Sequence, residues 1–404
     1  MIPFHFSMGY FQTLVQVLMP ESIQQVQLFK ATIMKIAFVF IALILGACQP
    51  AHQEDQSGDT HSFYVGTYTD GKSKGIYQYI LQPNGMIQQI GLAAVSDNPS
   101  FLALSKDKKY LVAVNEINQN GTGKISSFWI TGDTLQMLSQ NSSGGGHPCF
   151  VSVNEAGFVL TANYTGGSTG LLKLDREGKL SGLLDLYQHK GSGTTPRQEG
   201  PHAHSAWFEP AGNSILSVDL GTNELWFFEL DTNRQKLEPR DQQKLQMTSG
   251  AGPRHLVFHP HKPWIYVVNE LNATLTLVRK TSDGRYEMAG SVSTLPKGYE
   301  ATNKCADIHI SPDGKFVYAS NRGHNSIAIF RVDSGNGNLQ ALAHQSVHGD
   351  WPRNFSLSPD GKYLIVANRH SNNLVSLKRD PNTGLLEYTD QIEAPSPVCI
   401  LFKN

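Results

Sequence analysis

The chain has 404 residues, with 33 Lys+Arg against 34 Asp+Glu and a formal net charge of −1, which leaves no compositional footprint for nucleic acid. Hydrophobic residues make up 40% and charged residues 17%, enough apolar surface to exclude disorder over most of the length. Four cysteines (Cys48, Cys149, Cys305, Cys399) without a CxxC pair exclude a disulfide-stapled scaffold and give no zinc or thioredoxin pattern.

The first predicted element is a sorting signal. Residues 34–48 read MKIAFVFIALILGAC: one lysine, an apolar stretch too short to span a bilayer comfortably, then small residues before a cysteine. This looks like a bacterial lipoprotein signal, with Cys48 as the lipidation site. Residues 1–33 fit no export pattern, so translation is expected to begin at Met34. Residues 49–61 (QPAHQEDQSGDTH) are polar and read as a tether. The expected domains are therefore a signal region over 1–48, a tether over 49–61 and one folded body over 62–404. The expected location is the bacterial cell envelope, periplasmic or surface, with the membrane touched only through the lipid on Cys48. The alternative is a cytoplasmic chain in which this stretch is no signal.

From Ser62 the sequence repeats. Six segments share a turn, an apolar strand, a polar turn and a second apolar strand ending in Asn or Asp. The clearest are SLSPDGKYLIVANRH (356–370) and HISPDGKFVYASNRG (309–323). The anchors Leu104, Val153, Phe208, Phe258, Ile310 and Leu357 lie 49, 55, 50, 52 and 47 residues apart. Four strands per unit at this period mean propeller blades. Runs such as Tyr363-Leu-Ile-Val-Ala are apolar throughout, as strands covered on both faces require. Asp313-Gly314 and Asp360-Gly361 mark hairpin turns that need φ > 0.

The last segment, Ser396 to Phe402, starts a seventh repeat and then the chain stops after one strand. Its three missing partners are expected from the other end: Phe63-Tyr-Val-Gly-Thr, Gly75-Ile-Tyr-Gln-Tyr-Ile and Met86-Ile-Gln-Gln-Ile. Such pairing closes the ring and removes the open edge. The fold class is all-β, a seven-bladed β-propeller; Ser62–Phe402 is 341 residues, close to 49 per blade.

Strand direction locates the chemistry. Residues just before first strands and just after second strands share one face, around the channel mouth. The first set contains Cys149, His202 and His204, Arg254 and His255, Asp307, and Arg353 and Asn354. The second contains Asn115-Glu116, Asn163-Tyr164, Asp219, Asn269-Glu270, Asn321-Arg322 and Asn368-Arg369. Histidines, arginines and carboxylates thus converge on one rim, where pockets form.

Gly252-Pro-Arg-His-Leu-Val-Phe-His-Pro260 with Val267-Val-Asn-Glu-Leu271, Gln198-Glu-Gly-Pro-His-Ala-His-Ser205, Ala306-Asp-Ile-His-Ile-Ser-Pro-Asp-Gly314 and Pro352-Arg-Asn-Phe355 resemble the motifs of the lactonase-type seven-bladed propellers. That family's best-known members are bacterial 6-phosphogluconolactonases. The resemblance covers roughly residues 62–402 and implies lactone hydrolysis without cofactor or metal. The fold also resembles a fungal muconolactone-forming cycloisomerase, whose implied catalytic set of a His, two Arg and a Glu maps onto His204, Arg254, Arg322 and Glu270.

A lactone hydrolase needs an activated water, a donor for the oxyanion and a proton for the leaving alkoxide. Glu270 or His204 is the candidate base, and Arg254 the oxyanion donor. Arg322 and Arg353 are candidates to hold a carboxylate or phosphate, with His202 and Asp307 as further substrate contacts. No Gly-x-Ser-x-Gly elbow supports a serine nucleophile. Each candidate has a structural alternative: a Glu270–Arg254 salt bridge, a turn-capping histidine in the 202/204 pair, core histidines at 255 and 309, solvated charges at Arg322 and Arg369, and an Asp307 bonded to backbone amides. The strand-ending Asn residues suggest a turn role, and Cys149, Cys305 and Cys399 suggest small buried hydrophobes. His202, His204, Glu270 and Asp307 are also metal-capable types, but their spacing is no recognised metal motif. The expected partner is a small-molecule sugar lactone and no nucleic acid. Because phosphorylated sugar lactones are cytoplasmic metabolites, either the substrate lacks phosphate or the export reading fails. Competing readings are a carboxymuconate cycloisomerase and a non-catalytic exported propeller that binds glycan or protein.

Overall fold

The computed structural model describes residues 59–210 and 212–403. The signal segment, Cys48 and the tether up to residue 58 lie outside the described residues.

Among the described residues twenty-eight strands form seven four-stranded antiparallel sheets. The innermost strands of blades 1 to 7 are Leu102–Leu104, Pro148–Val153, Ala203–Phe208, Pro253–Phe258, Lys304–Ile310, Pro352–Leu357 and Pro397–Phe402. These strands contact one another around the axis. In blade 7, Pro397–Phe402 pairs with His61–Thr67, followed outward by Gly75–Leu81 and Ile87–Val95. The ring is therefore closed by strands from both chain ends, as the repeat pattern predicts. Among the described residues the one helical element is a 3-10 turn at Pro196–Gln198. No helix among them is long and apolar enough to cross a membrane.

Burial follows radial position. Second strands are largely buried, and Tyr363–Asn368 and Trp264–Asn269 are buried at every residue, because neighbouring blades cover both faces. Outermost strands such as Leu386–Glu393 expose much of one face. Burying one Phe side chain, as at Phe150, contributes about 1.5–3 kcal/mol; the inter-blade clusters repeat this around the ring.

The hairpins opposite the mouth have a local cause. Ser358 Oγ donates to Asp360 Oδ1 at 2.6 Å, and the Lys362 and Tyr363 amides donate to Asp360 and Ser358 at 3.1 and 2.9 Å. Gly361 then takes φ = +67°, a conformation cheap only for glycine. Ser311, Asp313 and Gly314 repeat the arrangement.

The strand-ending asparagines do more than turn the chain. Asn115, Asn163, Asn321 and Asn368 donate to the carbonyls of Asp97, Ser143, Thr294 and Val347. Each carbonyl belongs to the segment arriving from the preceding blade, so these side chains tie neighbouring blades together. Cys149, Cys305 and Cys399 are free and buried.

Candidate active site

The site is built on a repeated defect. Near the start of the innermost strand the ladder skips Cys149 in blade 2, His204 in blade 3, Arg254 in blade 4, Ala306 and Asp307 in blade 5, and Arg353 in blade 6. Blade 7 skips Val398. A bulge frees its extra residue from the alternation of the strand and re-aims the side chain. Repetition around the axis gathers these side chains at one mouth.

Glu270, just after the second strand of blade 4, sits at its centre. Its Oε2 lies 3.2 Å from Arg254 Nε and 2.8 Å from Arg322 Nη2. Its Oε1 lies 3.4 Å from Arg197 Nη2. Arg322 also donates to the carbonyls of Lys304 and Cys305, at 3.1 and 2.8 Å, and Arg254 Nη1 donates to that of Ala306. The blade 5 bulge thus anchors both arginines. Trp351 covers the Arg322 guanidinium at 5.2 Å. Burial by itself raises the Glu270 pKa, but Arg322, Arg254 and Arg197 bring it down to about 2. Burial and repulsion from Arg322 and Arg353 bring Arg254 down to about 10.

A second relay holds Arg254 from below. Arg254 Nη1 lies 3.3 Å from His255 Nε2, and His255 Nδ1 lies 2.8 Å from Asp307 Oδ1. Arginine can only donate, so Nε2 is the acceptor and the His255 proton sits on Nδ1, facing the carboxylate. Burial, with Arg254 alongside, lowers His255 to about 4 and keeps it neutral. Asp307 also accepts from Asn354 Nδ2 at 2.5 Å, His309 Nε2 at 3.2 Å and the Phe355 amide at 3.4 Å. Asp307 is thus occupied by protein groups. Phe101 and Trp207 both pack on Phe150, with ring centroids 4.4 and 4.6 Å apart, and the His255 ring lies against all three.

His204 stands beside this cluster. Its Nδ1 lies 3.5 Å from Cys149 Sγ, and among the described residues nothing hydrogen-bonds its Nε2. Burial and the charges of Arg254 and His255 hold its pKa well below the ordinary histidine value; burial pushes the Cys149 thiol up, so it stays protonated. His202 is turned elsewhere: it stacks on Tyr164 at 4.5 Å, with Nδ1 3.0 Å from the Tyr164 carbonyl and Nε2 3.3 Å from Glu199.

On the far side of the mouth Arg353 meets Glu116 only at 3.7 Å and stands over the Tyr68 ring at 5.2 Å. The Tyr68 hydroxyl donates to Glu116 at 2.7 Å. Arg369 lies over the same ring at 4.3 Å and pairs with Asp70 at 2.8 Å. Arg197, Arg254, Arg322 and Arg353 thus face Glu270 and Glu116, with the Asp307 carboxylate behind Arg254, so four cations against three carboxylates leave one positive charge in excess.

Of the expected residues, Arg254, Glu270, Arg322, His204 and Arg353 come together at the mouth, whereas His202 and Asp307 are engaged with protein partners. The four types weighed as metal ligands do not gather: among the described residues no group of three or more His, Cys, Asp and Glu could hold a metal ion. Sequence reasoning missed Arg197, Tyr68 and Trp351. Pro148, Pro253, Pro352 and Pro397 each stand one residue before a bulged position, a signal for the bulge ring. Only the unusually long 55-residue step from Val153 to Phe208 hints at the insert carrying Arg197.

Residues 62–402 match the family described as Lactonase, 7-bladed beta-propeller, and the chain belongs to that family. It is 34% identical over 345 residues to the 6-phosphogluconolactonase of Bacillus subtilis, covering 84% of this chain and 97% of that one. The periplasmic gluconolactonase of Pseudomonas aeruginosa has the same fold, with TM-score 0.81 and 29% identity over 85% of this chain and 99% of the other. A Lactobacillus plantarum protein matches at TM-score 0.80 and 34% identity, covering 85% and 99% of the two chains.

Proposed function

We propose that the protein is a hydrolase that opens a sugar-acid lactone by water attack at the channel mouth. The observation that carries this reading is a neutral histidine, His204, with its Nε2 unengaged among the described residues, beside a cluster of arginines. The activities named for the relatives support it.

The residues divide the work as follows. A water held by His204 Nε2 attacks the ring carbonyl and gives its proton to the imidazole. The carbonyl oxygen gains the negative charge and is met by Arg254, whose Nη2 has no acceptor among the described residues, and by Arg353. Collapse breaks the ring C–O bond, and the alkoxide takes the proton from His204. Glu270, held near pKa 2, is a weak proton acceptor. Its part is to fix Arg254 and Arg322 in place, so of the two candidate bases His204 is preferred. Charge on the substrate offsets the arginines that depress His204 and makes it a better base in the complex.

The test is proton release at neutral pH from gluconolactone and its 6-phosphate, with spontaneous opening subtracted. Acceleration of either supports the reading. Turnover of a carboxymuconate alone identifies a cycloisomerase instead; no turnover together with tight glycan binding identifies a binding protein. The segment Met34–Cys48 supports an envelope location with lipid on Cys48. A Cys48→Ser chain that still fractionates with membranes overturns that assignment.

A further inference from the structure

We propose that Arg197 determines specificity by reading an acidic group at the end of the substrate remote from the lactone carbonyl. This rests on the lactonase reading above and names its substrate class: a sugar lactone bearing a second oxyanion.

Arg197 lies on a strap, residues 189–202, between blades 2 and 3. One buried carboxylate ties both ends of it. Asp219 Oδ2 lies 2.7 Å from His189 Nδ1, and Asp219 Oδ1 accepts the His202 amide at 2.9 Å. The His189 ring is further fixed by Thr169 Oγ1 at 3.1 Å and by stacking on Trp226 at 4.7 Å. Gln198, fully buried, donates to the Leu220 carbonyl at 2.8 Å and to Asn223 Oδ1 at 3.1 Å. The backbone beside Arg197 is thus anchored, while its own side chain is 43% exposed. A rigid base presenting a solvent-facing guanidinium is the arrangement a recognition residue needs.

The partners of Arg197 make it available. Tyr164 Oη accepts its Nη2 at 2.7 Å, and the contact to Glu270 Oε1 is the longest of the three guanidinium contacts of that carboxylate, at 3.4 Å. Glu270 is already paired with Arg254 and Arg322, so the Arg197 fork can turn to a ligand oxygen while Glu270 keeps two cations. Two further arginines keep unused donors, Arg254 and, on the blade 6 bulge with Glu116, Arg353; both are assigned to the reacting carbonyl. A neutral lactone leaves the surplus charge of the mouth unmatched. A phosphate ester or carboxylate matches it through forked hydrogen bonds.

The experiment compares kcat/KM of the full chain on gluconolactone, its 6-phosphate and an aldaric acid monolactone. The expected result is that Arg197→Ala lowers the acidic-to-neutral ratio of kcat/KM about 10- to 100-fold, chiefly through KM, with Arg197→Lys intermediate. Which acidic lactone the wild-type chain favours distinguishes phosphate from carboxylate. An equal fractional loss on acidic and neutral lactones overturns the proposal. If Arg197→Ala does not fold, Arg197→Gln is read by the same ratio. If the wild-type chain opens no lactone, the hydrolase reading falls, and the role of Arg197 is decided by calorimetric titration with inorganic phosphate. Binding weakened at least about 5-fold in the variant upholds it; unchanged binding, or none in the wild type, overturns it.

Discussion

In the proposed mechanism His204 is the base and Glu270 the support, and the two roles are separable by mutation. Replacing His204 with Asn is expected to lower kcat by about 10²–10⁴ while leaving the fold intact, as measured by initial rates and circular dichroism. Because the His204 pKa is lowered, its neutral form persists as pH falls through 6.5. The acid limb of kcat/KM therefore lies well below pH 6.5, and a limb centred there argues against His204. Glu270→Gln breaks a buried pair and leaves Arg254 and Arg322 without their counter-charge. It is expected to cost about 3–5 kcal/mol in urea unfolding; a variant with unchanged stability and full turnover removes Glu270 from the site. Acid stability follows from His255 and Glu270. His255, lowered to about 4, contributes fully above its unfolded value near 6.5, and that contribution is lost as pH falls toward 4. Glu270 contributes above about 4.5, and its share is lost as pH falls toward 2. Unfolding free energy should therefore begin to drop near pH 6.5, and His255→Asn should make the segment between pH 6.5 and 4 shallower, the share of His204 remaining.

At the level of elements, turns and strands are legible because their causes are local. The Ser-Pro-Asp-Gly turns announce themselves, since only a residue tolerant of positive φ fits after the aspartate. Gly361→Ala is expected to cost about 1 kcal/mol in thermal or chemical unfolding. It lies on the opposite face, so lactone turnover should be unaltered; a changed KM would show that the two faces are coupled. The bulges are legible only in part. Pro148, Pro253, Pro352 and Pro397 mark the strand heads, yet whether the next side chain turns inward depends on the ladder of the neighbouring strand. The asparagine ties look like turns in the sequence because their acceptors come from another blade.

For the molecule as a whole, the closing strand carries a distinct expectation. Pro397–Phe402 covers His61–Thr67, and the Ile400 amide donates to Asn354 of blade 6 at 2.7 Å. A chain ending at Ser396 should expose the edge of blade 7 and aggregate, as seen by size-exclusion chromatography; a monodisperse, fully folded truncation would mean the ring does not depend on this closure. Blade number, ring closure and the face on which the charged residues gather were all written in the chain, because period, alternation and turn chemistry act over a few residues. The sharing of Glu270 by three arginines, the service of Asp307 to His255 and the reach of Arg197 to the mouth came only with the folded ring. Those outcomes depend on distances between blades and on burial, which sets the charge each group keeps, and spacing along the chain encodes neither.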